Sequence, residues 1–343
     1  MEMPFPMASI RRAVTAAAIL GTTAATVFSG VSAQAQAQTR TGATTDPYSA
    51  FAFNLGTTEP TIYNFINSAT TSLNMTMYEL SDTTATNDLI AREKAGVTVR
   101  VILDQAEKST NTTAYNALKA AGVGVVWSST KFTYTHQKTI TVNGTESLIL
   151  TGNLTSEYYT TSRDYGVFDT DANDVAAITA VFNDDYTHTT ITPSDGDNLL
   201  WSPTTAQSRL VTFIDGATKT LDIEEEEFSD TAVVNAIVAR AKAGVKVRIV
   251  VEDPSDYSSE ITEVEAAGGT VVGYSSSTGF YMHAKVMVAD YGLSTANVEV
   301  GSMNDTSNSL GSNRELGIIL ADSGVETVVE TAFASDYAGG TKQ

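Results

Sequence analysis

The chain is written twice, and that duplication limits the possible folds more than any other feature of the sequence. Phe65-Ile66-Asn67-Ser68-Ala69-Thr70-Thr71-Ser72-Leu73 returns 148 positions later as Phe213-Ile214-Asp215-Gly216-Ala217-Thr218-Lys219-Thr220-Leu221. Ser81-Asp82 and Ser229-Asp230 keep the same offset, as do Lys94-Ala95-Gly96-Val97 and Lys242-Ala243-Gly244-Val245. Solenoid units run about 20–50 residues, so a period this long means a duplicated domain. Each copy reads as α/β. Helical spacing covers 61–71 and 209–219 through Ile62, Phe65, Ile66, Ala69 and Leu210, Phe213, Ile214, Ala217. A strand follows (73–77; 221–225), then a helix closed by Ala-Gly (84–95; 231–243) and a β-rich run (97–103; 245–251). A further helix (112–121; 258–267) and strand (123–127; 270–274) complete the pattern. The polar loop Thr192-Pro193-Ser194-Asp195-Gly196-Asp197 separates a first half, 48–192, from a second, 193–343.

Ahead of the repeat, Arg11-Arg12 precede an apolar, small-residue run from Ala13 to about Val27, and A-x-A sites end at Ala35 and Ala37. Residues 1–37 therefore read as a cleaved export signal, and the Thr/Gly-rich stretch 38–47 as a flexible linker. A membrane anchor needs about 20 apolar residues, more than this run supplies. The expected location is extracellular or periplasmic. The chain has no cysteine, which excludes disulfides, zinc–cysteine sites and a thiol nucleophile. Its net charge of −20 opposes general nucleic-acid binding, which depends on Lys and Arg releasing phosphate counterions. It equally opposes loose adsorption to an anionic membrane. Any phosphate site must be a local basic pocket in an acidic body.

Of the three histidines, two are repeat equivalents: Thr135-His136-Gln137-Lys138 and Met282-His283-Ala284-Lys285. On an extended strand, positions i and i+2 share a face, which sets each His beside its Lys. Seven residues beyond each His stand Asn143 and Asp290. Further on, Thr151-Gly152-Asn153 aligns with Ser302-Met303-Asn304, and Arg163-Asp164 with Arg314-Glu315. Each half thus offers a His, a Lys, a hydroxyl, an Asn and an acid. Two imidazoles and two ammoniums suit phosphodiester cleavage: a nucleophile, charge for the phosphoryl oxygens, and a proton for the leaving alkoxide. The candidate catalytic residues are His136, Lys138, His283, Lys285, Asp164 and Glu315. Lys138, Lys285, Thr151, Asn153, Ser302 and Asn304 are the candidate phosphate ligands. Asp164 and Glu315 are suited to accept from the second ring nitrogen of each His; the alternative is a surface ion pair with the adjacent Arg163 or Arg314.

His283-x-Lys285-x4-Asp290 followed by Gly301-Ser302-x-Asn304 resembles the signature of the phospholipase D superfamily, and the likeness spans nearly the whole chain after the export signal. The first copy departs from it, with Asn143 for Asp and Leu150 for Gly. The resemblance implies two α/β/α halves related by a pseudo-two-fold, with one active site at their interface. It implies a phosphohistidine intermediate with His136 as nucleophile and His283 as acid, and local structural roles for Asp290 and Asn143. No metal and no cofactor are called for, and headgroup exchange with an alcohol becomes possible beside hydrolysis. The expected substrate is a phospholipid, met by transient membrane contact, with no obligate protein partner and a monomeric chain.

Other readings compete. Met75-Thr76-Met77-Tyr78-Glu79-Leu80 resembles the small nuclease branch of the superfamily, although the acidic charge opposes a polyanionic substrate. A non-catalytic binding module has Asn143 as its support and the intact His-Lys pairs against it. Glu224-Glu225-Glu226-Glu227 invites a calcium site, but no loop of alternating carboxylates accompanies it; Glu227 repeats Glu79 and is expected at the cleft rim. His188, without a Lys partner, is expected on the surface, and Trp127 and Trp201 in packing.

Overall fold

The computed structural model describes residues 46–343 apart from 55–56 and 276. The expected export signal, 1–37, and most of the linker lie outside the described residues. The first half runs β1 (Tyr48–Ala52), α1 (Thr58–Asn67), β2 (Ser72–Met77), α2 (Thr83–Lys94), β3 (Thr98–Leu103), α3 (Lys108–Ala120), β4 (Gly124–Trp127), β5 (Thr139–Val142), β6 (Glu146–Leu150), β7 (Ser162–Arg163), β8 (Tyr165–Asp169) and α4 (Ala172–Tyr186). The second runs β9 (Leu199–Ser202), α5 (Ala206–Gly216), β10 (Thr220–Glu225), α6 (Thr231–Lys242), β11 (Lys246–Glu252), α7 (Ser258–Ala266), β12 (Thr270–Tyr274), β13 (Tyr281–Met282), β14 (Lys285–Ala289), β15 (Asn297–Gly301), α8 (Ser307–Gly311), β16 (Glu315–Leu320), α9 (Ser323–Gly339) and β17 (Thr341–Lys342).

The duplication is carried into the topology. One sheet has the order β1-β8-β6-β5-β2-β3-β4; the other has β9-β16-β15-β14-β10-β11-β12, with β17 added at its edge. Within each, β2-β3-β4 or β10-β11-β12 are parallel and the remaining pairings antiparallel. Local chemistry explains the repeated elements. Asp82 and Asp230 cap α2 and α6, each carboxylate accepting from two backbone N–H groups of the first turn. Gly96 and Gly244 end the same helices at φ +91° and +89°, a region that costs glycine nothing. The first helices begin and end about three residues earlier than their apolar spacing predicts, at Thr58–Asn67 and Ala206–Gly216.

Each sheet has an outer and an inner core. Ile62, Phe65, Ile66 and Leu89 pack the outer face of the first sheet, and Leu210, Phe213, Ile214 and Ile237 that of the second. A third cluster joins the halves: Tyr165, Ile178 and Val181 from the first meet Trp201, Val286, Val300 and Phe333 from the second. Helices α4 and α9, absent from the periodicity reading, supply much of this inner layer. The fold is thus two tandem homologous α/β/α halves.

Candidate active site

Short backbone pairings cross from one half to the other. Strand β13, just before His283, pairs in parallel with β7, just before Asp164. Likewise Thr135, just before His136, bridges to Arg314, just before Glu315, and the His136 and Gln137 N–H groups donate to the Arg314 carbonyl. The acids consequently serve the opposite histidines. His136 Nδ1 lies 2.8 Å from Glu315 Oε2, and His283 Nδ1 lies 2.8 Å from Asp164 Oδ1. A carboxylate on Nδ1 fixes the tautomer with Nδ1 protonated, leaving Nε2 to face the cleft. The adjacent arginines are engaged elsewhere and in the same crossed manner: Arg163 with Asp336 at 2.5 Å, Arg314 with Asp185 at 2.9 Å. The surface ion-pair alternative for Asp164 and Glu315 is therefore overturned.

Two further expectations change. The Thr151 and Ser302 hydroxyls, expected to bind phosphoryl oxygens, are fully buried and donate to Asp164 and Glu315, each at 2.7 Å. They hold the acids rather than face the cleft. Ser162 also donates to Asp164, while Ser309 and Asn313 donate to Glu315. His136 to Lys138 lie in the lead-in to β5, and His283 and Ala284 lie between β13 and β14, with Lys285 opening β14; neither motif is wholly inside a strand. Each ammonium turns back onto its own motif, with Lys138 Nζ 2.7 Å from the His136 carbonyl and Lys285 Nζ 2.5 Å from that of His283.

The half-sites differ in what faces the lysine. Lys138 lies over the Tyr78 ring, 5.1 Å from its centroid, and that ring meets His136 edge-on at 4.5 Å. Tyr78's repeat equivalent is Glu226, whose Oε2 lies 2.8 Å from Lys285 Nζ. Burial, reinforced by the nearby Lys285 and opposed by Glu315, lowers the Lys138 ammonium to about 7. His136 is likewise pushed down, by burial and both lysines against the pull of Glu315, so its neutral imidazole is favoured. Asp164 and Glu315 are held below the usual carboxylate range: burial pushes them up, but His and Lys neighbours outweigh it. Glu79, held by Asn153 of the first half, lines one cavity with His283 of the second, which brings the two half-sites together.

Asn153 and Asn304 reach the same cleft, their Nδ2 groups 3.2 Å and 3.3 Å from Glu79 and Glu226. Both Oδ1 atoms are buried without a partner. A cavity of about 140 Å³ opens on the His283 side, lined by Phe53, Glu79, Asn153, Tyr158, Asp164 and Tyr281. Asn143 and Asp290 lie away from it, both at φ +56°. Asn143 Oδ1 accepts from the Thr70 and Thr71 N–H groups, and Asp290 from Thr218, Lys219 and Thr220, so each pins the turn into β2 or β10. His188 sits exposed against the Trp127 carbonyl. Among the described residues, no group of three acidic or His side chains is placed to hold a metal ion. Motif reading missed Tyr78, Glu226 and Tyr281; the repeat offset, which sets Tyr78 against Glu226, was the available signal for two of them.

The sequence matches the family described as "Cardiolipin synthase, PLD-like domain" over residues 62–186 and again over 210–337. Among curated proteins, no sequence matches it. Among solved structures, phosphatidylserine synthase from Haemophilus influenzae aligns at a TM-score of 0.65 and 13% identity, over 87% of each chain. Polyphosphate kinase from Porphyromonas gingivalis aligns at 0.64 and 14% identity over 84% of this chain, which spans about half (50%) of the kinase. At such identities the likeness is one of fold. The double sequence match covers most of the chain, and the chain belongs to the PLD-like domain family, of which it carries two copies.

Proposed function

We propose that this protein is a secreted phosphodiesterase of the phospholipase D type that hydrolyses or exchanges phospholipid headgroups through a phosphohistidine. The observation that carries the reading is the crossed pairing of His136 with Glu315 and of His283 with Asp164. Each half supplies the orienting acid for the other's imidazole, so neither half-site is complete alone. His136, kept neutral and with its Nδ1–H held by Glu315, attacks phosphorus through Nε2. The N–P bond forms as the P–O bond to the headgroup breaks, and protonated His283 gives its proton to the leaving alkoxide. Water then enters from the vacated side, His283 takes its proton, and the N–P bond breaks to release the phosphomonoester. An alcohol in place of water gives exchange. Lys138, Lys285, Asn153 and Asn304 carry the phosphoryl charge in this scheme.

The test is headgroup release from phospholipid vesicles by the protein lacking residues 1–37, in EDTA, with acid-quench trapping of the phosphoprotein. Phosphatidic acid production and an acid-labile phosphoprotein that His136→Ala abolishes are expected. Plasmid nicking without lipid turnover would replace this reading with a nuclease, and failure to trap a phosphoenzyme with any substrate would favour a binding module.

A further inference from the structure

The second phosphoryl seat already holds an anion. One oxygen, Glu226 Oε2, faces both second-half groups assigned to the phosphoryl charge and the proposed acid: Lys285 Nζ at 2.8 Å, Asn304 Nδ2 at 3.3 Å and His283 Nε2 at 3.6 Å. The first half is built differently. Its equivalent position is Tyr78, and Lys138 meets a ring face there instead of a carboxylate. The other Glu226 oxygen accepts from the Tyr281 hydroxyl. Burial pushes Glu226 up, but Lys285 and His283 outweigh it and keep it ionised.

We propose that Glu226 is a resident anion in the second phosphoryl seat, and that it makes the site selective for phosphodiesters carrying a cationic amine beside the phosphorus. This rests on the phosphodiesterase reading and names its substrate class. An incoming phosphoryl oxygen must take the place of Glu226 Oε2 on Lys285 and Asn304. The displaced carboxylate, still tied to Tyr281, is then a buried negative charge without its ammonium, which is costly. A polyanionic or neutral-headgroup diester leaves it so. An amino-alcohol headgroup brings a cation to the adjoining cavity, lined by Glu79 and by Tyr281 and His283, the two neighbours through which Glu226 borders it. There the rings of Tyr158 and Tyr281, 6.0 Å apart, offer π faces to an ammonium.

Calorimetry on the protein lacking residues 1–37 tests this without turnover, using phosphocholine, glycerol 3-phosphate and inorganic phosphate. The wild type is expected to bind phosphocholine about tenfold more tightly than glycerol 3-phosphate. Glu226→Gln, and Glu226→Tyr carrying the first half's own residue, should each bind inorganic phosphate about tenfold more tightly than wild type and lose the preference. Two variants of different size, checked for a native melting transition, guard against misfolding. Unchanged phosphate affinity in the folded variants, or no preference in the wild type, overturns the proposal. Parallel release from phosphatidylcholine and phosphatidylglycerol separates it from the reading beneath it. Charge-selective binding with no lipid turnover sinks only the phospholipase reading. Turnover with equal kcat/KM for both lipids, unmoved by Glu226→Gln, sinks only the selectivity.

Discussion

Where the first half buries Met77, Leu148 and Leu154, the second buries Glu225, Glu299 and Asp305 at the equivalent positions of β10, β15 and the loop after it. The backbone register is the same in both: Met77 pairs with Leu103 as Glu225 pairs with Val251, and Leu80 bridges Leu154 as Phe228 bridges Asp305. Burial pushes all three carboxyls well above the ordinary range, with Asp305 raising the other two, which favours their neutral forms. Both Asp305 oxygens lack a hydrogen-bond partner. The difference teaches that one backbone tolerates an apolar or an acidic layer beneath the same motif, and that the acidic version ties the second half's stability to pH.

Four experiments break or sharpen that comparison. His136→Ala and His283→Ala should each lower headgroup release by roughly 10³-fold or more, since each half supplies one of the two imidazoles of the proposed site. A variant with near wild-type turnover would dissolve the shared site. Glu315→Gln and Asp164→Asn should each cost roughly 10²-fold in kcat with little change in KM, because the amide cannot fix the imidazole tautomer. If only one of the pair matters, the crossed symmetry is structural and not functional.

The third concerns the buried acids. A carboxyl whose folded value is raised stabilises the fold fully below its unfolded value near pH 4, and that contribution is lost as pH rises toward the folded value. Thermal melting should therefore occur at progressively lower temperature from pH 5 to 8. The triple variant Glu225→Met, Glu299→Leu and Asp305→Leu, which copies the first half, should flatten this slope and gain about 1–3 kcal/mol per carboxyl at pH 8. A slope unchanged by the exchange would place the pH dependence elsewhere. The smallest effect belongs to the turns. Asp290 is lowered to about 2 because its hydrogen bonds to the Thr218 side chain and to the Lys219, Thr220 and Thr218 backbone outweigh burial. Asn143→Asp should add about 0.5 kcal/mol above pH 4, read as a small rise in melting temperature that vanishes below pH 2.

Much of this was legible in the residues. The repeat announced a duplicated α/β domain, and the capping aspartates, the Ala-Gly helix ends and the His-Lys spacing located most elements and the motif. Helices α4 and α9 were not read, because the buried stripe of each includes carboxylates, Asp174 and Asp185 in α4 and Glu326 and Asp336 in α9, which interrupt its apolar pattern. Asn143 read as a departure, yet its Oδ1 accepts backbone N–H groups as an Asp oxygen does in the other half.

The sequence by itself determined the two-fold construction and which residues recur as paired motifs, since both follow from local pattern and from self-similarity between the halves. Only the tertiary structure decided which acid serves which histidine, that Thr151 and Ser302 hold those acids, and that Glu226 faces Lys285 where Tyr78 faces Lys138. Those facts depend on chain crossings between segments more than a hundred residues apart, and on side-chain direction at close range. No periodicity along a single chain encodes either.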